Sequence, residues 1–302
     1  MPALKEILAK LIYALKEFFK KKPKAATELY SPFGIPDSFL VKINKRIKVI
    51  IDPTKNYFKI RMNSDRKNFD YLIMIHGCEP PEINDVAESI IENANKFDEI
   101  YSFDSTLLRK IKSAKTFSFG SCWVATDSNE QLVSLKKDYQ QIFDFNKKFR
   151  LSYIKSDKNR LPGHQLRFSL NETILKKRNY ELIYPQQRID TKVGLFKHTA
   201  FHIAIENSKH ENYFTEKIID CFMSYTIPIY WGCPNIDSFF DKEGIIFFND
   251  KKELESILDN LTMEDYFKRI EAIKRNYQIA LDNYAFFFDR VNDYICSLEK
   301  NG

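Results

Sequence analysis

Glycine is scarce, with eight in 302 residues, which excludes collagen-like repeats and long flexible segments. The cysteines (Cys78, Cys122, Cys221, Cys233 and Cys296) are odd in number and include no C-x-x-C pair. They predict reduced thiols in a cytosolic compartment rather than a disulfide framework. No apolar run reaches the roughly 18 residues that would suggest a transmembrane helix. The N-terminal segment is studded with charge, so no signal peptide is expected. The G-x-G-x-x-G and P-loop patterns are both absent, which leaves NAD and ATP sites without support.

What is plentiful is aromatic. The chain holds 26 Phe and 16 Tyr, enough for a sizeable core. Its length suits two domains of about 100–150 residues, or one large one. The net charge of +6 is unevenly placed. Residues 1–24 carry seven Lys and two Glu, hence +5, which leaves +1 on all the rest. A near-neutral body does not demand a nucleic-acid partner.

That basic segment is also the clearest helix. Leu4, Leu8, Leu11, Leu15 and Phe18 alternate spacings of four and three, and predict an amphipathic helix over residues 3–21. Lys5, Lys10, Lys16 and Lys21 flank its apolar arc, where lysines snorkel toward lipid phosphates. The expectation is peripheral contact with the inner face of a membrane. The alternatives are docking on the body or pairing with a second copy.

Further on, Pro23–Pro36 reads as a linker. Ile47–Ile51, Tyr71–Ile75, Glu99–Phe103, Leu151–Ile154 and residues 245–248 read as strands. Val86–Ala94, Thr106–Lys112, Glu130–Phe145, Gln165–Lys176 and Lys251–Leu261 read as helices, Ser118–Trp123 as a loop or short strand, and Asp265–Leu298 as one or two long helices. Alternating strands and helices predict an α/β protein with parallel sheets, in two Rossmann-like halves joined near 146–150. The expected organisation is a basic helix (1–24), a first half (25–148), a second half (149–264) and C-terminal helices (265–302).

The most informative stretch is FHIAIENSKHENYFTEKIIDCFMSYTIPIYWG, Phe201–Gly232. Phe201–Ile205 reads as a buried strand, Ile218–Phe222 as a helix and Ile227–Tyr230 as a second strand. Between them, Glu206 to Lys217 concentrates acidic, amide, aromatic and basic side chains in one loop. Thr215 is a helix N-cap candidate, which puts Glu216 and Lys217 in the first turn. Free backbone N–H groups beside an ammonium favour an anion, and a phosphate-bearing ligand is the natural reading.

ENS (206–208), YFTEK (213–217) and IPIYWG (227–232) together resemble the donor-site motif of the α1,3/4-fucosyltransferases, glycosyltransferase family 10. Upstream, SDKNRLPGHQLR (Ser156–Arg167) is similar to that family's shorter phosphate-binding segment, and HGCEPPE (76–82) to its acidic acceptor-side motif. The resemblance implies a GT-B fold with the active site in the cleft between the halves. It implies inverting transfer of fucose from GDP-fucose to a glycan hydroxyl, with no cofactor beyond the donor substrate. No Asp-x-Asp occurs, which weakens a metal-dependent GT-A reading.

In this frame Arg167 and Lys217 are the candidate grips on the departing diphosphate, with Arg188 a competitor for the arginine role. The resemblance implies that Glu216 accepts from the ribose hydroxyls. Asn207 and Tyr213 are further donor-binding candidates, and Glu206 either braces the loop or touches the ligand. Glu79, after a buried strand and a Gly turn, is the candidate general base. Glu82 and then His76 are the alternatives. His198, His202 and His210 make no metal set, because their segment reads as strand. Two other readings stay open: a transferase of another GDP-sugar, and a catalytically silent glycan- or membrane-binding protein of the same fold.

Overall fold

The computed structural model describes residues 27–31, 46–155, 157–176, 179–185, 189 and 191–300. The amphipathic helix expected over 3–21, and Arg188, lie outside the described residues.

Short aliphatic runs become two parallel sheets. The first holds β1 (Thr27–Tyr30), β2 (Ile47–Ile51), β3 (Tyr71–His76), β4 (Glu99–Ser102) and β5 (Lys115–Thr116), in that spatial order. The second holds β6 (Lys148–Tyr153), β7 (Glu181–Ile183), β8 (Thr199–Ile205), β9 (Ile227–Trp231) and β10 (Ile246–Phe247), in the order β10-β9-β8-β6-β7. Every pairing is parallel. β2, β8 and β9 are buried at every position, as strands covered on both faces must be.

The two orders have different consequences. In the second sheet the chain starts at β6, adds β7 on one side, and then crosses over to build β8, β9 and β10 on the other. That is the doubly wound order with its topological switch point between β6 and β8. Loops leave those two strands in opposite directions there, opening a crevice beyond their C-terminal ends. The first sheet runs strictly in sequence and has no such point.

Helices connect the strands. In the first half they are α1 (Lys55–Ile60), α2 (Met62–Asn68), α3 (Ala87–Glu92) and α4 (Ser105–Lys110). In the second they are α5 (Pro162–Ser169), α6 (Glu172–Leu175), α7 (Val193–Phe196), α8 (Glu216–Met223) and α9 (Lys251–Asn260). The chain closes with α10 (Met263–Phe267), α11 (Ile270–Asn283) and α12 (Phe287–Lys300). Ile273 and Ala280 of α11 pack into the second half's core. Phe287, Val291 and Ile295 of α12, spaced four apart, pack instead on β2 and β3 of the first sheet. The C-terminal helices therefore straddle both halves.

Three expected elements come out differently. Glu130–Phe145 is not a helix: Thr126 forms isolated antiparallel bridges to Leu132 and Gln140, and one 3-10 turn covers Lys136–Asp138. Local capping wins there. The Asp127 carboxylate accepts from the N–H groups of Asn129 and Gln131, Glu130 takes a positive φ of 61°, and Lys136 N–H goes to Asp289 instead of a helical carbonyl. Second, residues 27–30 of the expected linker pair with β2 as an edge strand. The long helix expected over Gln165–Lys176 is also broken, into α5 and α6.

Candidate functional site

The loop Glu206–Lys217 is organised around one carboxylate. Glu206, at the C-terminal end of β8, is fully buried. Its Oε1 accepts from Thr215 N–H at 2.9 Å, its Oε2 accepts from the Thr215 hydroxyl at 2.7 Å, and Lys217 Nζ lies 3.4 Å from Oε2. Glu206 is thus the brace that folds this loop back on itself. Thr215 occupies the N-cap of α8, but its hydroxyl is turned to Glu206 and makes no cap bond to the helix. The first N–H groups of α8 are left without a side-chain cap, as an anion site needs.

Lys217 Nζ also donates to Thr215 Oγ1 at 2.9 Å and meets Glu216 Oε1 at 3.3 Å. Burial alone would push the Glu216 carboxyl up, but Lys217, Lys192 and hydrogen bonds hold it down at about 2. Glu216 is therefore a fixed acceptor at any physiological pH.

Across the switch point, α5 follows β6 and brings His164 and Arg167 against Asn207. Arg167 Nη2 donates to Asn207 Oδ1 at 2.7 Å, and His164 Nε2 meets the same oxygen at 3.1 Å. Burial, and then the neighbouring Arg167, lowers the His164 pKa, so the ring is neutral. With Nε2 donating to an oxygen, Nδ1 is a lone-pair acceptor. His164 Nδ1, Arg167 Nε and Tyr213 Oη are all buried without a hydrogen-bond partner among the described residues. The close approach depends on Gly163, whose N–H donates to Asn207 O at 3.0 Å. A Cβ there would stand 1.8 Å from the Glu206 carbonyl oxygen.

The first half faces this cluster with Glu79. Asp52, after β2 and at a positive φ of 41°, accepts from Gly77 N–H at 2.7 Å and Cys78 N–H at 2.6 Å. That carboxylate shapes the turn carrying Glu79. One oxygen of Glu79, Oε2, is buried without a hydrogen-bond partner among the described residues. Burial raises its pKa above the ordinary carboxyl value, although Lys217 and Lys158 pull the other way.

Glu79, Lys158, His164, Arg167, Asn207, Tyr213, Glu216 and Lys217 line one cleft of about 730 Å3. Ligand sites usually measure roughly 300–1,000 Å3. The structure therefore brings together Glu79 and all five candidate donor-side residues. It places the alternatives elsewhere. Glu82 bridges the halves: its carboxylate meets His210 Nε2 at 3.1 Å and accepts from Ser208 Oγ at 3.1 Å. His76 is buried, bonded to Ser102 Oγ at 3.0 Å and stacked on Phe103. His202 sits in the core with Ser152, its pKa lowered to about 3 by burial. Two cleft residues, His164 and Trp123, carried no signal in the sequence. A lone His inside a loop motif and a lone Trp after Cys122 acquire meaning only from what packs around them.

Residues 178–284 match the family model described as glycosyltransferase family 10 (fucosyltransferase), C-terminal. This segment is the part of the chain that is similar to glycosyltransferase family 10. Over 94 residues the chain is 31% identical to an alpha-(1,3)-fucosyltransferase, FucT, of Helicobacter pylori, covering 30% of this chain and 20% of that protein. Over 99 residues it is 30% identical to a putative fucosyltransferase of Acanthamoeba polyphaga mimivirus, covering 31% of this chain and 16% of that one. The chain thus spans a fifth or less of the length of these curated relatives. Among solved structures, it is similar to an alpha1,3-fucosyltransferase crystallised with GDP-fucose, with a TM-score of 0.47 and 16% identity over 75% of this chain and 81% of the other. It is similar also to one with GDP, with a TM-score of 0.42 and 16% identity over 88% and 94%. The family 10 segment contains Asn207, Tyr213, Glu216 and Lys217; Glu79 and Arg167 precede it.

Proposed function

We propose that this chain is an inverting glycosyltransferase that moves fucose from GDP-fucose to a hydroxyl of a glycan acceptor. The observation that carries the reading is the pairing within one cleft. A buried carboxylate oxygen of Glu79, with no partner among the described residues, comes from the first half, and the Arg167–Asn207 and Lys217–Glu216 pairs come from the switch point of the second. The family 10 match and the fucosyltransferases it resembles support fucose as the sugar.

The reaction is one displacement. The acceptor hydroxyl attacks the anomeric carbon and gives its proton to Glu79. The bond from that carbon to the β-phosphate oxygen breaks, and GDP leaves with the electron pair. The raised pKa of Glu79 suits a general base, since a more basic carboxylate takes a proton more readily. Arg167 and Lys217 are fixed cations for the charge that develops on the leaving diphosphate, and no metal is required for that task. Glu216, held ionised, accepts from the ribose hydroxyls. Asn207 and the Tyr213 hydroxyl contact the donor.

Ligand-dependent melting tests the donor. A ligand at 100 times its dissociation constant adds about 2.7 kcal/mol of stability. GDP and GDP-fucose are expected to raise the melting temperature and UDP-sugars to leave it unchanged. Equal shifts from UDP-sugars would overturn the donor assignment.

Residues 3–21 are proposed to hold the protein at an anionic membrane surface. Their lysine-flanked apolar arc supports this. The full chain should co-sediment with anionic vesicles at low salt, and a form starting at Ala25 should not. Equal sedimentation of both would contradict it.

A further inference from the structure

Trp123 is half out in solvent, 53% exposed, yet it is not loose. Its backbone N–H donates to Asp220 Oδ1 at 2.6 Å. Lys192 Nζ stands over one face of the indole, 4.8 Å from the ring centroid, and is itself paired with Asp220 Oδ2 at 2.6 Å. Asp220 is fully buried, so the pair is a rigid anchor rather than a surface contact. One indole face is thereby occupied by a cation. Trp123 lines the cleft beside Ser121, Cys122 and Val133.

A large exposed aromatic ring, held from behind in a ligand cleft, is a stacking surface. What stacks there follows from where the anchor sits. Asp220 lies four residues after Glu216 on α8, one turn along the same helix face. Lys192 acts electrostatically on Glu216 as well as pairing with Asp220. Trp123 is therefore tethered one helical turn from the carboxylate assigned to the ribose. In a nucleoside the base is one bond from that ribose.

We infer that Trp123 is the platform on which the purine base of the donor nucleotide stacks, held in place by Lys192 and Asp220. This rests on the donor reading given above, and it assigns the base contact to a residue outside the family 10 segment. The loop carrying Trp123 leaves the first half and is tied to α8 in the second. Donor binding then engages the connection between the halves as well as the switch point.

Fluorescence and calorimetry on the full chain test this. The protein has two tryptophans, so the difference between wild type and Trp123→Phe isolates the emission of Trp123. GDP and GMP are expected to quench that emission, and inorganic pyrophosphate is expected not to. By calorimetry, Trp123→Ala should weaken GDP by about ten- to a hundredfold, the usual cost of losing a base–aromatic stack, while Trp123→Phe stays within a few-fold. Full GDP affinity in Trp123→Ala would overturn the platform alone, and so would quenching by a glycan but not by GDP. Absence of GDP binding to the wild type would sink the donor reading, and the platform with it.

Discussion

At the residue scale, the surroundings of Lys217 suit the leaving-group role proposed for it. Its ammonium already has Glu206, Thr215 and Glu216 around it, which fixes its position before any ligand arrives. Removing it leaves Glu206 and Glu216 without their shared cation. Lys217→Ala is expected to weaken GDP by roughly ten- to a hundredfold, the equivalent of about 1.5–3 kcal/mol for a charge-assisted contact. Turnover should fall in parallel and survive a chelator. Near-normal GDP affinity, with activity abolished by a chelator, would contradict the fixed-cation reading. Glu216 and Lys217 were legible in the sequence because they are contiguous with a helix start and an apolar run. His164 was not, since its role depends on Asn207, 43 residues away. Glu79 and Glu82 were indistinguishable as neighbours on one turn. They separate once His210 and Ser208 are seen to engage Glu82.

At the element scale, α12 makes the chain's last helix part of its first sheet. Ile295 is fully buried among Val49, Ile73 and their neighbours. Ile295→Ala should destabilise the protein by roughly 2–5 kcal/mol, read by chemical denaturation, as large-to-small changes in a tight core do. GDP affinity should be unchanged, because the residues proposed to bind the donor stand on the other half. Wild-type stability in that variant would contradict the packing. The β8–α8–β9 unit was readable because uninterrupted apolar runs mark buried parallel strands. The segment 130–145 departs from the helix its pattern predicts because Leu132 points outward at 53% exposure, and Asp127 and Asp289 supply non-helical partners for the backbone. β1 was hidden because a four-residue edge strand carries almost no pattern of its own.

At the scale of the whole molecule, the cleft divides its chemistry between two halves, with a carboxyl raised in one and a carboxyl depressed in the other. Such a split assigns the two acids different tasks. Because Glu79 holds its proton longer when folded, its burial opposes folding as pH rises through the ordinary carboxyl value and then its own raised one. For catalysis the sign is reversed, since only the ionised form takes the acceptor's proton. The decisive measurement is therefore the pH dependence of GDP release from GDP-fucose, in the presence of a mixture of glycan acceptors, for wild type and Glu79→Gln. Wild type should lose activity on the acid side as Glu79 protonates, at a pH above the ordinary carboxyl range. Glu79→Gln should bind GDP normally, turn over roughly 10²–10⁴-fold more slowly and lack that acid limb. Wild-type rates with the limb intact in Glu79→Gln, or no GDP release by a wild type that binds GDP, would contradict a base-assisted transfer across this cleft.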